Sequence, residues 1–121
     1  MNLNLEIRKK IASEWFMFLQ SQICKEFEEI ERKKSNGRKV YSIKKTTWKK
    51  SENPKEGGGT YAIIKNGAIF DSVGINFSEV SGKFQKKFRS QILGAKTNPN
   101  YWASGISVVA HMKNPKIPAM H

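Results

Sequence analysis

Both histidines of this chain, His111 and His121, lie in its last stretch, Trp102 to His121, with Ser107 a short way upstream. Imidazole is the side chain that most readily exchanges a proton near neutral pH, and a hydroxyl beside it can hold a polar substrate group. Ile106 to Ala110 is rich in β-branched residues and is then interrupted by Asn114-Pro115 and Pro118. That pattern predicts a buried strand running into a proline-stiffened loop. Residues two apart in a strand share a face, so Ser107, Val109 and His111 line one wall, with Ser107 and His111 about 13 Å apart. Past the prolines nothing in the sequence is expected to hold the His121 imidazole. No Ser-His-Asp or Cys-His arrangement is legible. Two histidines without a neighbouring carboxylate or thiol are a thin metal site, and one packed plus one exposed imidazole is the competing reading.

The elements that must position these groups begin with a predicted helix, roughly Leu5 to Lys33. Ile7, Ile11, Trp15, Phe18, Leu19, Ile23, Phe27 and Ile30 recur at steps of three and four and draw one apolar stripe. Cys24 beside it is expected to be a half-buried structural thiol, and Glu14, Glu26, Glu28, Glu29 and Glu31 a solvated face. Ser35-Asn36-Gly37 signals the helix stop. The alternation from Val40 to Thr47, before Trp48, predicts a strand; its lysines are either an electropositive rim or a charged edge that deters aggregation. Gly57-Gly58-Gly59 reads as a loop, a flexible connector on spacing alone, and no Walker pattern follows it. Tyr61–Lys65 and Ala68–Phe70 flank Asn66-Gly67, a two-residue hairpin signal. Gly74 to Val80 is a further strand, with Asn76 and Ser78 on one face as either a cleft wall or solvent-exposed surface. Phe84 to Leu93 is expected to form a short basic helix. Past Glu79 there is no carboxylate, while seven lysines and arginines follow.

Composition sets the outer bounds. The 121 residues, 38% hydrophobic with seven Phe and three Trp, suffice for one domain over residues 1–121 with a core. The formal charge of +12 predicts an anionic partner without choosing among nucleic acid, a membrane surface and a polycarboxylate. A single cysteine excludes an internal disulfide, and no apolar stretch is long enough for a signal peptide or a transmembrane segment, so a soluble, cytoplasmic protein is expected.

The run Trp102-Ala-Ser-Gly-Ile-Ser-Val-Val-Ala-His-Met-Lys-Asn-Pro115, with Pro118 and His121, resembles the signature region of the oxygen-dependent coproporphyrinogen III oxidases. Gly57-Gly58-Gly59 and Val73-Gly-Ile-Asn-Phe-Ser-Glu-Val80 with Gly82 match further blocks of that family in the same order, and the resemblance covers the chain from about Phe18 onward. Five residues in three segments depart from its pattern. Thr46 and Lys50 stand where an Asp and an Arg usually flank the tryptophan, Glu56 replaces the first of four glycines, and Asp71-Ser72 replaces a Glu-Lys pair.

The resemblance implies an α+β fold, a mainly antiparallel sheet flanked by helices, in a homodimer, with this chain as the N-terminal part. It implies oxidative decarboxylation of two propionates of coproporphyrinogen III, a tetra-anionic tetrapyrrole, to vinyls, with O2 as co-substrate and no organic cofactor. By the same resemblance His121 is the catalytic proton donor and Ser107 a substrate contact. His111 and His121 are the ligands of a divalent metal, whose requirement stays open. An exposed sheet edge and apolar surface are expected to make the chain poorly stable or self-associating. The alternatives are a small basic nucleic-acid binder, stacking bases on Trp48, Tyr61 and Phe70, and an inactive truncated oxidase.

Overall fold

The computed structural model describes residues 2–36 and 43–121. One long helix, α1 (Leu3–Lys34), is followed by β1 (Lys45–Lys49), β2 (Gly57–Lys65), β3 (Phe70–Lys83) and β4 (Asn100–Met112). The strands form an antiparallel meander in the order β1-β2-β3-β4, and α1 lies across one face of it. This is an α+β fold with a long N-terminal helix, as expected. Asn2 caps α1 by accepting from the Leu5 N–H at 3.4 Å, and Arg32, Lys33 and Lys34 oppose the negative end of the helix dipole. Asn36, at φ 53°, takes the left-handed conformation that stops the helix. Gly37 and the predicted strand residues Val40, Tyr41 and Ser42 lie outside the described residues; β1 starts at Lys45 and takes in Trp48.

The core gathers Cys24 and Phe27 of α1 with Ala62, Ile64, Phe70, Val73, Ile75 and Ala110 of the sheet. Phe27 and Phe70 meet edge to face, with centroids 4.8 Å apart. The helix does not dock by the stripe its sequence draws. Its buried positions are Ser13, Gln20, Cys24, Phe27 and Glu31, whereas Ile11, Trp15 and Phe18 stay 61%, 55% and 53% exposed. Polar complementarity sets this rotation. Gln20 Nε2 donates to the Thr60 and Ile75 carbonyls, both at 3.1 Å, and its Oε1 accepts from Thr60 Oγ1 at 2.9 Å. Ser13 bonds Ser104 at 3.1 Å, so these buried groups are satisfied.

Glu31, expected on a solvated face, is fully buried. Its carboxylate accepts from the N–H groups of Ala68 (2.5 Å), Ile69 (3.1 Å) and Phe70 (2.8 Å) and so organises the β2–β3 turn from 37 to 39 residues away. The hairpin is therefore longer than Asn66-Gly67 predicts. Asn66 N–H donates to Asp71 O and Gly67 N–H to Phe70 O, which centres the turn on Ala68-Ile69. Gly67 is required for another reason: a Cβ there would collide with the Glu31 carboxylate.

Residues 84–93 do not form the expected basic helix; only Lys86–Phe88 coil, as a 3-10 turn. The Phe84 carbonyl, which would accept the first helical bond, accepts instead from Arg89 Nε at 2.8 Å, and Phe88 N–H turns to Gln85 O. The Phe84 ring packs on Tyr101, with centroids 4.8 Å apart. No second α-helix among the described residues packs on the other face of the sheet.

Cys24 is buried, not half-buried, and burial is the leading cause that pushes its thiol pKa up; nearby Glu28 adds to this and Lys45 opposes it. A buried thiol with a raised pKa holds little thiolate. Native Cys24 is expected to react with an aromatic disulfide reagent at least about tenfold more slowly than in the denatured chain. Equal rates, followed by absorbance of the released thiolate, would contradict this.

Candidate active site

Cross-strand register assembles the site on the uncovered face. Thr46 pairs with Tyr61, Tyr61 with Asn76, and Asn76 with Ser107; one step along, Trp48 pairs with Gly59, Gly59 with Ser78, and Ser78 with Gly105. Partners in a ladder share a face, so Trp48, Tyr61, Asn76, Ser78, Ser107, Val109 and His111 lie together. Asn76 lies on the sheet face turned away from α1, half-buried. Its Oδ1 accepts from Trp48 Nε1 at 3.0 Å, which turns the amide NH2 outward as a donor opposite Ser107. No sequence signal links Trp48 to Asn76.

The three glycines, expected as a connector, are the first residues of β2. They are needed for close approach. A Cβ on Gly57 would fall on the Glu79 carbonyl oxygen, and one on Gly58 on that of Trp48. A Cβ on Gly59 would strike the Phe77 carbonyl and the Trp48 ring, so this glycine lets the indole lie flat and reach Asn76. The two departures flanking them meet each other. Lys50 Nζ stands 3.5 Å from Glu56 and donates to Tyr101 Oη at 2.7 Å and Ser81 O at 2.8 Å. The Tyr101 bond is the leading cause of the raised Lys50 pKa; the Ser51 hydroxyl, ahead of Lys50, holds Glu56 below its ordinary value.

Contrary to the sequence expectation, His121 is held. The chain leaves β4 at Met112, and Lys113 N–H bonds Ile69 O. It turns at Asn114, whose Oδ1 accepts from Lys116 N–H, and comes back alongside β4. Ala110 and Met120 then exchange backbone bonds of 2.8 and 2.9 Å. This bridge sets His121 against His111, Nε2 to Nε2 at 3.2 Å, with ring centroids 5.4 Å apart and both rings exposed. A hydrogen bond between them needs one ring to donate and the other to accept. The structure therefore brings together the two histidines that sequence left unpaired. Ser107 shares their face, four residues from His111.

The same contact fits one metal ion. Two imidazoles bound to a tetrahedral ion at about 2.0–2.1 Å place their nitrogens about 3.3 Å apart. No third His, Cys, Asp or Glu joins them among the described residues, so the pair alone would give an ion two ligands.

Residues 11–121 match the Coproporphyrinogen III oxidase family. The chain belongs to that family. An oxygen-dependent coproporphyrinogen-III oxidase of Rickettsia typhi is 46% identical over 115 residues, 93% of this chain and 40% of the relative. The protein of the same name from Rickettsia africae is 42% identical over 121 residues, 98% of this chain and 42% of its own length. This coproporphyrinogen III oxidase family chain thus spans about two-fifths of those relatives. No helix among its described residues is long and apolar enough to cross a membrane.

Proposed function

We propose that this chain supplies the N-terminal part of a soluble, cytoplasmic, homodimeric oxygen-dependent coproporphyrinogen III oxidase, with residues 1–121 belonging to one longer domain. The observation that carries the reading is the paired imidazoles, His111 and His121, at the end of a strand face bearing Asn76 and Ser107. Each propionic acid would lose CO2 and two hydrogens to become a vinyl, and O2 would take those hydrogens as hydrogen peroxide. The porphyrinogen is electron-rich, so no organic cofactor is needed. His121 is the proton donor at the pyrrole or propionate. Ser107 Oγ and the Asn76 amide hold a substrate oxygen, and His111 fixes the His121 ring. A divalent ion, when bound to both histidines, would supply electrostatic stabilisation of a bound carboxylate. The four substrate carboxylates give the net positive charge of +12 an anionic partner.

Nothing favours the nucleic-acid reading, and of its three stacking aromatics Phe70 is a core residue only 4% exposed. The test is conversion of coproporphyrinogen III in air, followed by porphyrin fluorescence. It compares this chain alone with a chimaera in which it replaces the matching segment of the Rickettsia typhi relative. The chimaera is expected to convert substrate to a dicarboxylate product. A folded chimaera with no turnover, beside an active parent, would refute the assignment.

A further inference from the structure

Ten residues up β4 from His111, about 33 Å along the strand, the sheet ends in an open cleft of mixed polar and apolar lining. It has a volume of about 860 Å³ and lies where the end of β3 and the start of β4 meet the first turns of α1 and the loop before β2. Lys9, Lys55 and Lys83 line it, with Asn53, Asn98 and Trp102. Lys9 is paired with Glu6 at 3.1 Å and stands 5.9 Å from the Trp102 ring centroid. Neither Lys55 nor Lys83 has an acidic partner among the described residues.

The other polar groups of the wall are turned the same way. Asn53 Oδ1 accepts from the Lys55 N–H at 3.0 Å and Asn98 Oδ1 from the Asn100 N–H at 3.1 Å, so both amides offer their NH2 groups. Glu56, the lining carboxylate, is occupied by the Ser51 hydroxyl and by Lys50. The cleft thus presents two lysines without an acidic partner and two amide donors, beside a Glu56 carboxylate whose charge Lys50 offsets. Like charges around one space repel unless a counter-charge enters it. Lysine acts as a point charge that does not choose between phosphoryl and carboxylate oxygens. Trp102, on the side of β4 that faces α1, adds apolar surface beside Lys9.

We propose that this cavity is a second binding site, separate from the histidine face, for a small ligand carrying two or more oxyanion groups. The inference does not rest on the oxidase reading, and neither falls with the other. The test is calorimetric titration of the chain with pyrophosphate and with citrate at constant ionic strength. Saturable single-site binding of at least one is expected, weakened at least about tenfold in Lys55→Gln/Lys83→Gln. In Lys86→Gln/Lys87→Gln, which removes two neighbouring charges outside the cavity, affinity is expected to stay within about twofold. Tighter pyrophosphate assigns a phosphoryl ligand, and tighter citrate a carboxylate one. Binding of neither anion, or equal weakening by both double variants, would overturn the site.

Discussion

Replacing Glu31 by Ala is expected to lower stability by about 3–5 kcal/mol, the range found when one partner of a buried charged network is removed. The carboxylate is fully buried, and three backbone N–H groups, those of Ala68, Ile69 and Phe70, lose their acceptor with it. A buried donor left unpaired costs about 1–3 kcal/mol, so loss of even two would account for the range. The turn relaxes and admits water, which keeps the total below the full sum. A melting point on the order of 10–20 °C lower follows for a domain of this size. Glu31→Gln keeps one acceptor oxygen but points an NH2 at the remaining donors, so it should recover only part of the loss. Glu14→Ala, on the exposed side of the same helix, should stay within about 0.5 kcal/mol. The structural signature is local: amide exchange at residues 68–70 should accelerate before that of the β3 core. A Glu31→Ala protein that melts within 2 °C of the parent, about half a kcal/mol, would show that the turn organises itself without the carboxylate.

The same residue shows what the sequence could and could not reveal. Helical spacing announced α1 because periodicity is local, and it placed the helix within two residues at its start. Which face docks is decided by partners far along the chain. Gln20 meets Thr60 and Ile75, and Glu31 meets residues 68–70, and nothing in their neighbourhoods distinguishes them from solvated residues. The apolar stripe predicts the core face, yet most of it faces outward; the sheet offers carbonyls and N–H groups that only polar side chains satisfy. The Asn66-Gly67 signal located the hairpin but not its turn, because the Glu31 carboxylate overrode the local preference. Gly57 to Gly59 look like a connector in any one-dimensional reading. Their role depends on carbonyls of β1 and β3 that approach from both sides.

The site was legible to a different extent. Period-two spacing put Ser107 and His111 on one face, and the register confirms the arrangement. The return of the chain to Ala110, which brings His121 to His111, could not be read because an isolated two-residue bridge has no periodic signature. The resemblance assigned roles to both histidines without saying that they touch. The 3.2 Å contact makes those roles interdependent, since moving either ring moves the other's hydrogen-bond partner.

His121→Ala in the active chimaera is expected to lower turnover by about 10²–10⁴-fold, the usual contribution of a positioned general acid or base. The loss should fall on kcat more than on KM, because a proton transferred in the transition state adds little to substrate binding. His111→Ala removes the partner that aims the ring and should cost less, about tenfold to a hundredfold, with the pH–rate profile keeping its shape. In the double variant the losses should not multiply, since His111 acts through a ring that is no longer there. Multiplying losses would mean that the histidines work independently. A His121→Ala enzyme within threefold of the parent would remove His121 from proton transfer altogether. The remaining case is set by the metal. If the pair works chiefly by holding an ion, each single variant should abolish activity to the same degree, and added divalent metal should restore neither. Equal and complete losses would therefore favour ligation over proton donation, whereas a graded pattern, with His121 the costlier of the two, fits the 3.2 Å contact read as a hydrogen bond that aims a catalytic imidazole.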